Sequence, residues 1–273
     1  MKDLGGSLTV VGSGIQVVRD MTIGAKMAIE RADIVLAVLT TPVAELYIKK
    51  LNQNIESLMD CYEEGVHRSI AYNRMIKRIL SYVRDGLNVC AVFYGHPGIF
   101  AYPSHESIRQ ALKEGYSARM LPGISAEDCL FADLNIDPAT NGCQSFEATD
   151  FLVFKRRIDP SSLLILWQIG MTGFFNYTKS NYSYNKIKNK GFKVLVEALR
   201  KYYDDDHETI IYEASSFPIG NPIIQHISLA KIPDARITAI STLCIPPTKK
   251  KLPDKNIMND LDLHIGKYSI SNS

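Results

Sequence analysis

A chain of 273 residues, 46% hydrophobic and 22% charged, carries enough apolar surface for one large or two medium cores. Its net charge of +2 is too small to argue for nucleic-acid binding by bulk electrostatics, and the basic runs Lys155-Arg156-Arg157 and Lys249-Lys250-Lys251 read as solvated segments. No apolar run reaches the roughly 18 residues of a membrane span, and the N-terminus lacks a signal peptide's apolar core, so a cytoplasmic address is expected, with neither membrane nor nucleic acid as partner.

In chain order, Leu8-Thr9-Val10-Val11 predicts a short strand ending in Gly12-Ser13-Gly14. Thr22 then caps a helix that runs to Arg31. Asp33 introduces a second apolar run, Ile34 to Leu39. Thr41-Pro42, an N-cap followed by proline at the first helical position, opens a helix to about Leu51. A longer helix spans Arg68 to Arg84 and stops before Gly86. Val89 to Phe93 is apolar throughout, the mark of a strand buried on both faces. The loop Tyr94-Gly95-His96-Pro97-Gly98 follows, then a helix from Ser104 to about Glu114 and a strand Ala118 to Leu121. This βαβα alternation predicts an α/β domain over residues 1–121 with a mainly parallel sheet.

The second half reads as a mixed α+β domain over residues 122–250. Ser125 to about Leu134 is helical. Strands are expected near Ser145–Phe154, Leu163–Ile169, Thr209–Tyr212 and Ile237–Ile245, with one helix near Phe192–Tyr203. Asn176 to Lys190 lacks periodicity and reads as a surface loop. Residues 251–273 read as a polar tail.

The five cysteines form no Cys-x-x-Cys pair, and Cys90 and Cys244 lie within apolar strands, where a thiol behaves as a small hydrophobe. His105-Glu106 begins like a His-Glu-x-x-His helix, but Arg109 occupies the second histidine's place, so no metal is expected.

Three loops and one helix remain as candidate sites. Gly12-Ser13-Gly14 lacks the third glycine of a dinucleotide fingerprint, with Val17 in its place, and suits a tight turn instead. Gly123-Ile124-Ser125-Ala126-Glu127 fails as a nucleophile elbow, since its fifth residue is Glu127. Ser125 is better read as an N-cap paired with Asp128, at a helix start suited to a ligand's polar group. The Tyr94 loop leaves the C-terminal end of a parallel strand, where such sheets put their ligands, and Gly95 and Gly98 would allow close backbone approach. On the Arg68 helix, Arg68, Tyr72, Ile76, Ile79, Leu80 and Val83 share one face. The last four form a core stripe headed by a guanidinium and a phenol, with Tyr62 nearby. Pattern alone leaves two readings open: an oxyanion site, or an arginine that snorkels to water.

From Leu8 to Pro247 the chain resembles the tetrapyrrole-methylase superfamily, and within it the borosin peptide backbone α-N-methyltransferases. The resemblance is carried by Leu8-Thr9-Val10-Val11-Gly12-Ser13-Gly14, Phe93-Tyr94-Gly95-His96-Pro97-Gly98 and Leu121-Pro122-Gly123-Ile124-Ser125-Ala126-Glu127. Phe131-Ala132-Asp133-Leu134, Phe146-Glu147-Ala148, Trp167-Gln168, Ser241-Thr242 and Ile245-Pro246-Pro247 add to it. It implies a tetrapyrrole-methylase-like fold, a homodimer and S-adenosylmethionine as cofactor. Cofactor contacts are implied at Tyr94, His96, Pro97, Gly98, Ile99, Ser125, Ala126, Gln168, Ala214, Ser241 and Thr242, with the C-terminal domain completing the pocket. Arg68 and Tyr72 are implied in catalysis, with Tyr62 and Tyr94 beside them.

Most members that modify tetrapyrroles carry Gly-Asp-Pro in the loop occupied here by Gly95-His96-Pro97, so His96 favours a peptide acceptor. A further tyrosine of the fungal motif falls at Met59, whose role does not carry over. Fungal borosin enzymes carry their substrate as a C-terminal extension, whereas this sequence ends at Ser273. The expectation is therefore a separate precursor peptide, with a leader domain and an apolar core, methylated in trans. The alternatives are a small-molecule, tetrapyrrole-like methyltransferase and a peptide-binding scaffold without turnover.

Overall fold

The computed structural model describes residues 5–178, 190–217, 219–248 and 252–263. It divides into two compact units. The first comprises Met1–Asp133, Phe174–Lys179 and Ala214–Pro222, and the second Leu134–Gly173, Ser180–Glu213 and Ile223–Ser273. Residues 122–133 thus group with the first unit.

The first unit contains β1 (Ser7–Gly12), α1 (Ile23–Arg31), β2 (Ile34–Val38), α2 (Pro42–Leu51), β3 (Ile55–Ser57), α3 (Arg68–Arg84), β4 (Asn88–Phe93), α4 (Tyr102–Lys113), β5 (Ser117–Met120) and α5 (Ala126–Asp133). The local signals account for most of these bounds. Thr22 and Thr41 accept hydrogen bonds from the backbone N–H groups of Ala25 and Ala44, each satisfying a donor that an uncapped first turn would leave open. The strands form a wholly parallel sheet in the order β3-β2-β4-β1-β5. The short β3 was not anticipated, since three residues carry too little alternation to register as a strand.

Strand alternation divides the core. Val11, Val35, Ala37, Cys90 and Val92 pack with Ala25 and Ile29 of α1 and with Ala44 and Ile48 of α2. Leu8, Val10, Leu36, Val89 and Ala91 pack on the opposite face with α3 and with Ala111 of α4. Ile76, Ile79, Leu80 and Val83 of α3 are all buried, as the stripe predicts. Ile79→Ala should therefore cost about 3 kcal/mol, read as a lower urea midpoint with an unchanged slope.

The second unit has β6 (Cys143–Glu147), α6 (Ala148–Val153), β7 (Leu163–Trp167), α7 (Gly191–Leu199), β8 (Glu208–Glu213), β9 (Ile223–Ser228), β10 (Thr242–Ile245) and α8 (Lys255–Asp260). Its mixed sheet runs β6-β7-β10-β8-β9, with only β6 and β7 parallel. Phe192, Leu195, Val196 and Leu199 of α7 cover one face.

Three expectations are corrected here. The strand expected over Ser145–Phe154 ends at Glu147, whose side chain accepts the N–H of Asp150 at 2.7 Å and caps α6. The strand expected over Ile237–Ile245 begins only at Thr242. Before it, Thr238 N–H donates to Ser241 Oγ at 2.8 Å and Ser241 N–H to the Thr238 carbonyl at 3.2 Å, closing a turn in place of strand pairing. The segment read as a polar tail carries α8, capped by Asp254 and burying Met258. The loop expected over 176–190 falls for the most part outside the described residues.

Candidate functional site

In the first unit, β1 and β4 are neighbours at the centre of the sheet, and the chain leaves them for opposite faces: α1 on one, α4 on the other. The gap between their C-terminal ends is a topological switch point, the place where a parallel sheet opens a crevice to ligands. Two loops meet there. Gly14 N–H donates to the Gly95 carbonyl at 3.2 Å, and Gly95 N–H donates to the Gly14 carbonyl at 3.1 Å. Gly14 and Gly95 both have φ of +70°, a conformation that glycine adopts without strain.

The glycines serve contacts within the protein. A Cβ on Gly12 would lie 2.1 Å from the Gly95 carbonyl oxygen, and one on Gly98 would lie 2.7 Å from the Met120 sulfur. One on Gly123 would sit 3.2 Å from Pro97 Cδ. The loops after β1, β4 and β5 are thus packed backbone against backbone, and Pro97, at the centre, is buried. The close approach anticipated for Gly95 and Gly98 is made to Ile15 and Met120.

Around this junction, His96 Nδ1 accepts the N–H of Gly98 at 3.0 Å, and the His105 ring bonds the Gly98 carbonyl at 2.8 Å. Ile99 is exposed. The Tyr94 hydroxyl lies 3.3 Å from Ser216 Oγ. Beside it, the gap walled by Ser13, Ile15, Thr40, Thr41, Tyr94 and Phe217 has a volume of about 20 Å³, room for a single water and far too small for a nucleoside. Ser125 gives both its N–H, at 2.6 Å, and its O–H, at 2.7 Å, to Asp128. Its oxygen in turn accepts the N–H groups of Glu127 and Asp128, the reciprocal cap that the sequence predicts at the start of α5. Ala126 opens that helix, and Ala214 is half-buried.

Arg68 and Tyr72 stand one turn apart at the start of α3. The Arg68 guanidinium donates to the Phe174 carbonyl at 2.8 Å and its backbone N–H to the Phe175 carbonyl at 3.0 Å. Gly65 N–H donates to the Tyr177 carbonyl and Tyr177 N–H to the Val66 carbonyl, so Phe174–Tyr177 is clipped onto the approach to α3 like an added strand. The Tyr62 ring lies 6.4 Å from Tyr72, edge to face, and stacks on Tyr177 at 4.9 Å. Tyr102 continues the row, 6.3 Å from Tyr72. Arg68, Tyr72 and Tyr62 are therefore brought together. Tyr102, Tyr177 and the Phe174 carbonyl join them unannounced, because their signals depend on residues 30 or more positions away.

In the second unit, Gln168 has φ of +56° and begins the turn after β7. Ser241 and Thr242 stand at the start of β10, and Ile169 N–H donates to the Ser241 carbonyl at 3.1 Å. Both Ser241 and Thr242 are buried. The sequence reading missed Glu213, which binds Ser241; an acidic residue closing the apolar run Thr209–Tyr212 was the available signal.

Among the described residues, no three His, Cys, Asp or Glu side chains converge as a metal set would, and no helix is long and apolar enough to cross a membrane.

Comparison with known proteins gives the arrangement a family. The chain is 43% identical over 262 residues to the methyltransferase/ribosomally synthesized cyclic peptide gymnopeptides precursor of Gymnopus fusipes, covering 94% of this chain and 61% of that protein. It is 39% identical over 262 residues to the corresponding omphalotin A precursor of Omphalotus olearius, covering 94% and 62%. The chain thus spans less than two thirds of these relatives' length. The crystal structure of uroporphyrin-III-C-methyltransferase from Thermus thermophilus shares the fold, with a TM-score of 0.62 at 15% identity over 89% of this chain and 93% of that one. Residues 7–221, which include the Tyr94 loop and the Arg68 helix, match the family of Tetrapyrrole (Corrin/Porphyrin) Methylases, and the chain belongs to that family.

Proposed function

We propose that this protein is an S-adenosylmethionine-dependent methyltransferase that α-N-methylates backbone amides of a ribosomal precursor peptide, acting as a cytoplasmic homodimer. The observation that carries the catalytic half is the placement of Arg68 and Tyr72: a guanidinium anchored at the head of α3 and a phenol one turn on, in a row of tyrosine rings. The printed names of the relatives, each joining methyltransferase and cyclic peptide precursor, support the acceptor.

The chemistry fits those residues. An amide nitrogen shares its lone pair with its carbonyl, so methylation needs the N–H proton removed or the imidate favoured. A tyrosine with an ordinary pKa of about 10 is a competent base only where its phenolate is stabilised. Arg68 supplies that positive charge to Tyr72 and can hold the negative charge that grows on the peptide oxygen. Tyr62 and Tyr94 are assigned supporting roles, Tyr62 through its ring contact with Tyr72 and Tyr94 on the cofactor side. The cofactor supplies an electrophilic methyl group on a sulfonium. Tyr94, His96, Pro97, Gly98 and Ile99, leaving the switch point, and Ser125 and Ala126, at the start of α5, are assigned to it in the first unit. So is Ala214, while Gln168, Ser241 and Thr242 carry the same assignment in the second unit.

A co-expression experiment tests the reading. The chain is produced with a separate precursor carrying a leader domain and an apolar core, or with that precursor fused behind it, and the peptide's mass is measured. Mass increments of one methyl group each, mapped to backbone amides, are expected from the separate precursor. Increments only with the fused one would transfer the substrate to the same chain, as the relatives' names describe. Methylation of a tetrapyrrole and of neither peptide would replace the proposal.

A further inference from the structure

Glu213 closes β8 with only 5% of its surface exposed. Its Oε1 accepts the Thr238 hydroxyl at 2.7 Å and also the Ser241 hydroxyl. Its other oxygen, Oε2, takes no hydrogen bond among the described residues. Oε2 is not among the fully buried side-chain atoms that lack a partner, so part of it stays open at this end of the sheet, where only a hydrogen-bond donor can meet it.

The surroundings indicate which donor. Thr242 pairs with Tyr212, and Leu243 with Leu166, so Glu213, Ser241 and Gln168 lie at the same end of the adjacent strands β8, β10 and β7. That end carries the residues assigned to the cofactor in this unit. Ser241 itself is fully engaged: its N–H goes to the Thr238 carbonyl, its carbonyl accepts the N–H of Ile169, and its Oγ accepts from Thr238 while donating to Glu213. Gly170 brings the chain close enough that a Cβ there would lie 2.0 Å from the Thr238 carbonyl, which holds the turn in place.

We propose that Glu213 is a cofactor-binding residue, its Oε2 accepting a hydrogen from an amino or hydroxyl group of bound S-adenosylmethionine. Thr238 and Ser241 orient the carboxylate by holding Oε1. The inference rests on the proposed cofactor and extends it to a residue outside the set assigned above.

Glu213→Gln separates this role from a purely structural one. Its amide oxygen can still accept from Thr238 and Ser241, which leaves an NH2 donor where Oε2 stood, facing another donor. The full chain is titrated calorimetrically with S-adenosylhomocysteine, and its thermal midpoint is measured without ligand. The expected result is a midpoint close to wild type and a Kd raised about tenfold or more. Glu213→Ala, which releases both hydroxyls, lowers the midpoint as well. Wild-type affinity in Glu213→Gln overturns the proposal, as does a midpoint that falls as far as in Glu213→Ala, since the carboxylate then serves the fold alone. Wild-type protein that binds no S-adenosylhomocysteine overturns the cofactor reading itself.

Discussion

Arg68→Ala is expected to lower methyl transfer by about a thousandfold while leaving cofactor affinity and the thermal midpoint near wild type. Magnitude separates this from loss of structure. The three backbone hydrogen bonds that clip Phe174–Tyr177 onto Gly65–Arg68 survive the change, and only the 2.8 Å bond from the guanidinium to the Phe174 carbonyl is lost. A half-exposed hydrogen bond of this kind contributes about 1–2 kcal/mol to folding, too little to unfold a domain. Arg68→Lys keeps the charge and loses the planar fork, so it should recover only part of the activity. Tyr72→Phe preserves the ring contacts with Tyr62 and Tyr102 and removes only the hydroxyl. It should lower the rate by about 10²–10⁴-fold if that hydroxyl moves the proton. Rates are read as methyl incorporation under single-turnover conditions, with S-adenosylhomocysteine affinity as the control. Wild-type turnover by both alanine and phenylalanine variants would remove the catalytic assignment.

Gly12→Ala is expected to disrupt the junction between the loops after β1 and β4. Its new Cβ would stand 2.1 Å from the Gly95 carbonyl oxygen, a backbone atom that cannot rotate away. Relief requires moving the Tyr94 loop as a unit, with loss of the paired Gly14–Gly95 bonds and strain on the Ser13 N–H bond to the Phe93 carbonyl. Overpacking and lost bonding together should cost about 3 kcal/mol, a thermal midpoint lower by several degrees, together with weakened cofactor affinity. Gly65→Ala is the contrasting case. Its φ of +75° is in the left-handed region, unlike that of Gly12 in β1, and nothing lies within 4 Å of the new Cβ, so backbone strain alone costs about 1 kcal/mol. Equal midpoints for the two variants would mean that the loop junction tolerates displacement.

The Arg68 helix and the glycine loops show what could be read in advance. The bounds of α3, the threonine caps of α1 and α2, and the apolar strands β1, β2 and β4 follow from periodicity and from side chains a few positions apart. Interactions that close within one turn or one strand leave a pattern in the sequence that produces them. The order of the parallel strands adds a second level, because right-handed crossovers restrict how β-α-β units can assemble. The mistaken strands at Glu147 and Thr238 show the limit of periodicity. In each, a polar side chain bonds nearby backbone and ends the extended run that its apolar neighbours suggest.

By itself, then, the sequence determined the two kinds of sheet, the core stripe of α3, the Tyr94 loop at a strand end and, through resemblance, the family. Tertiary structure alone decided that Phe174 holds Arg68 across more than a hundred residues, that Tyr177 and Tyr102 extend the tyrosine row, and that Glu213 meets Ser241 and Thr238. It also decided that Gly12 and Gly98 make room for other parts of the protein. The reason is the same throughout. Local hydrogen bonds and side-chain periods are encoded in adjacent residues, whereas a contact between distant segments exists only once strand register and crossover direction have brought them together.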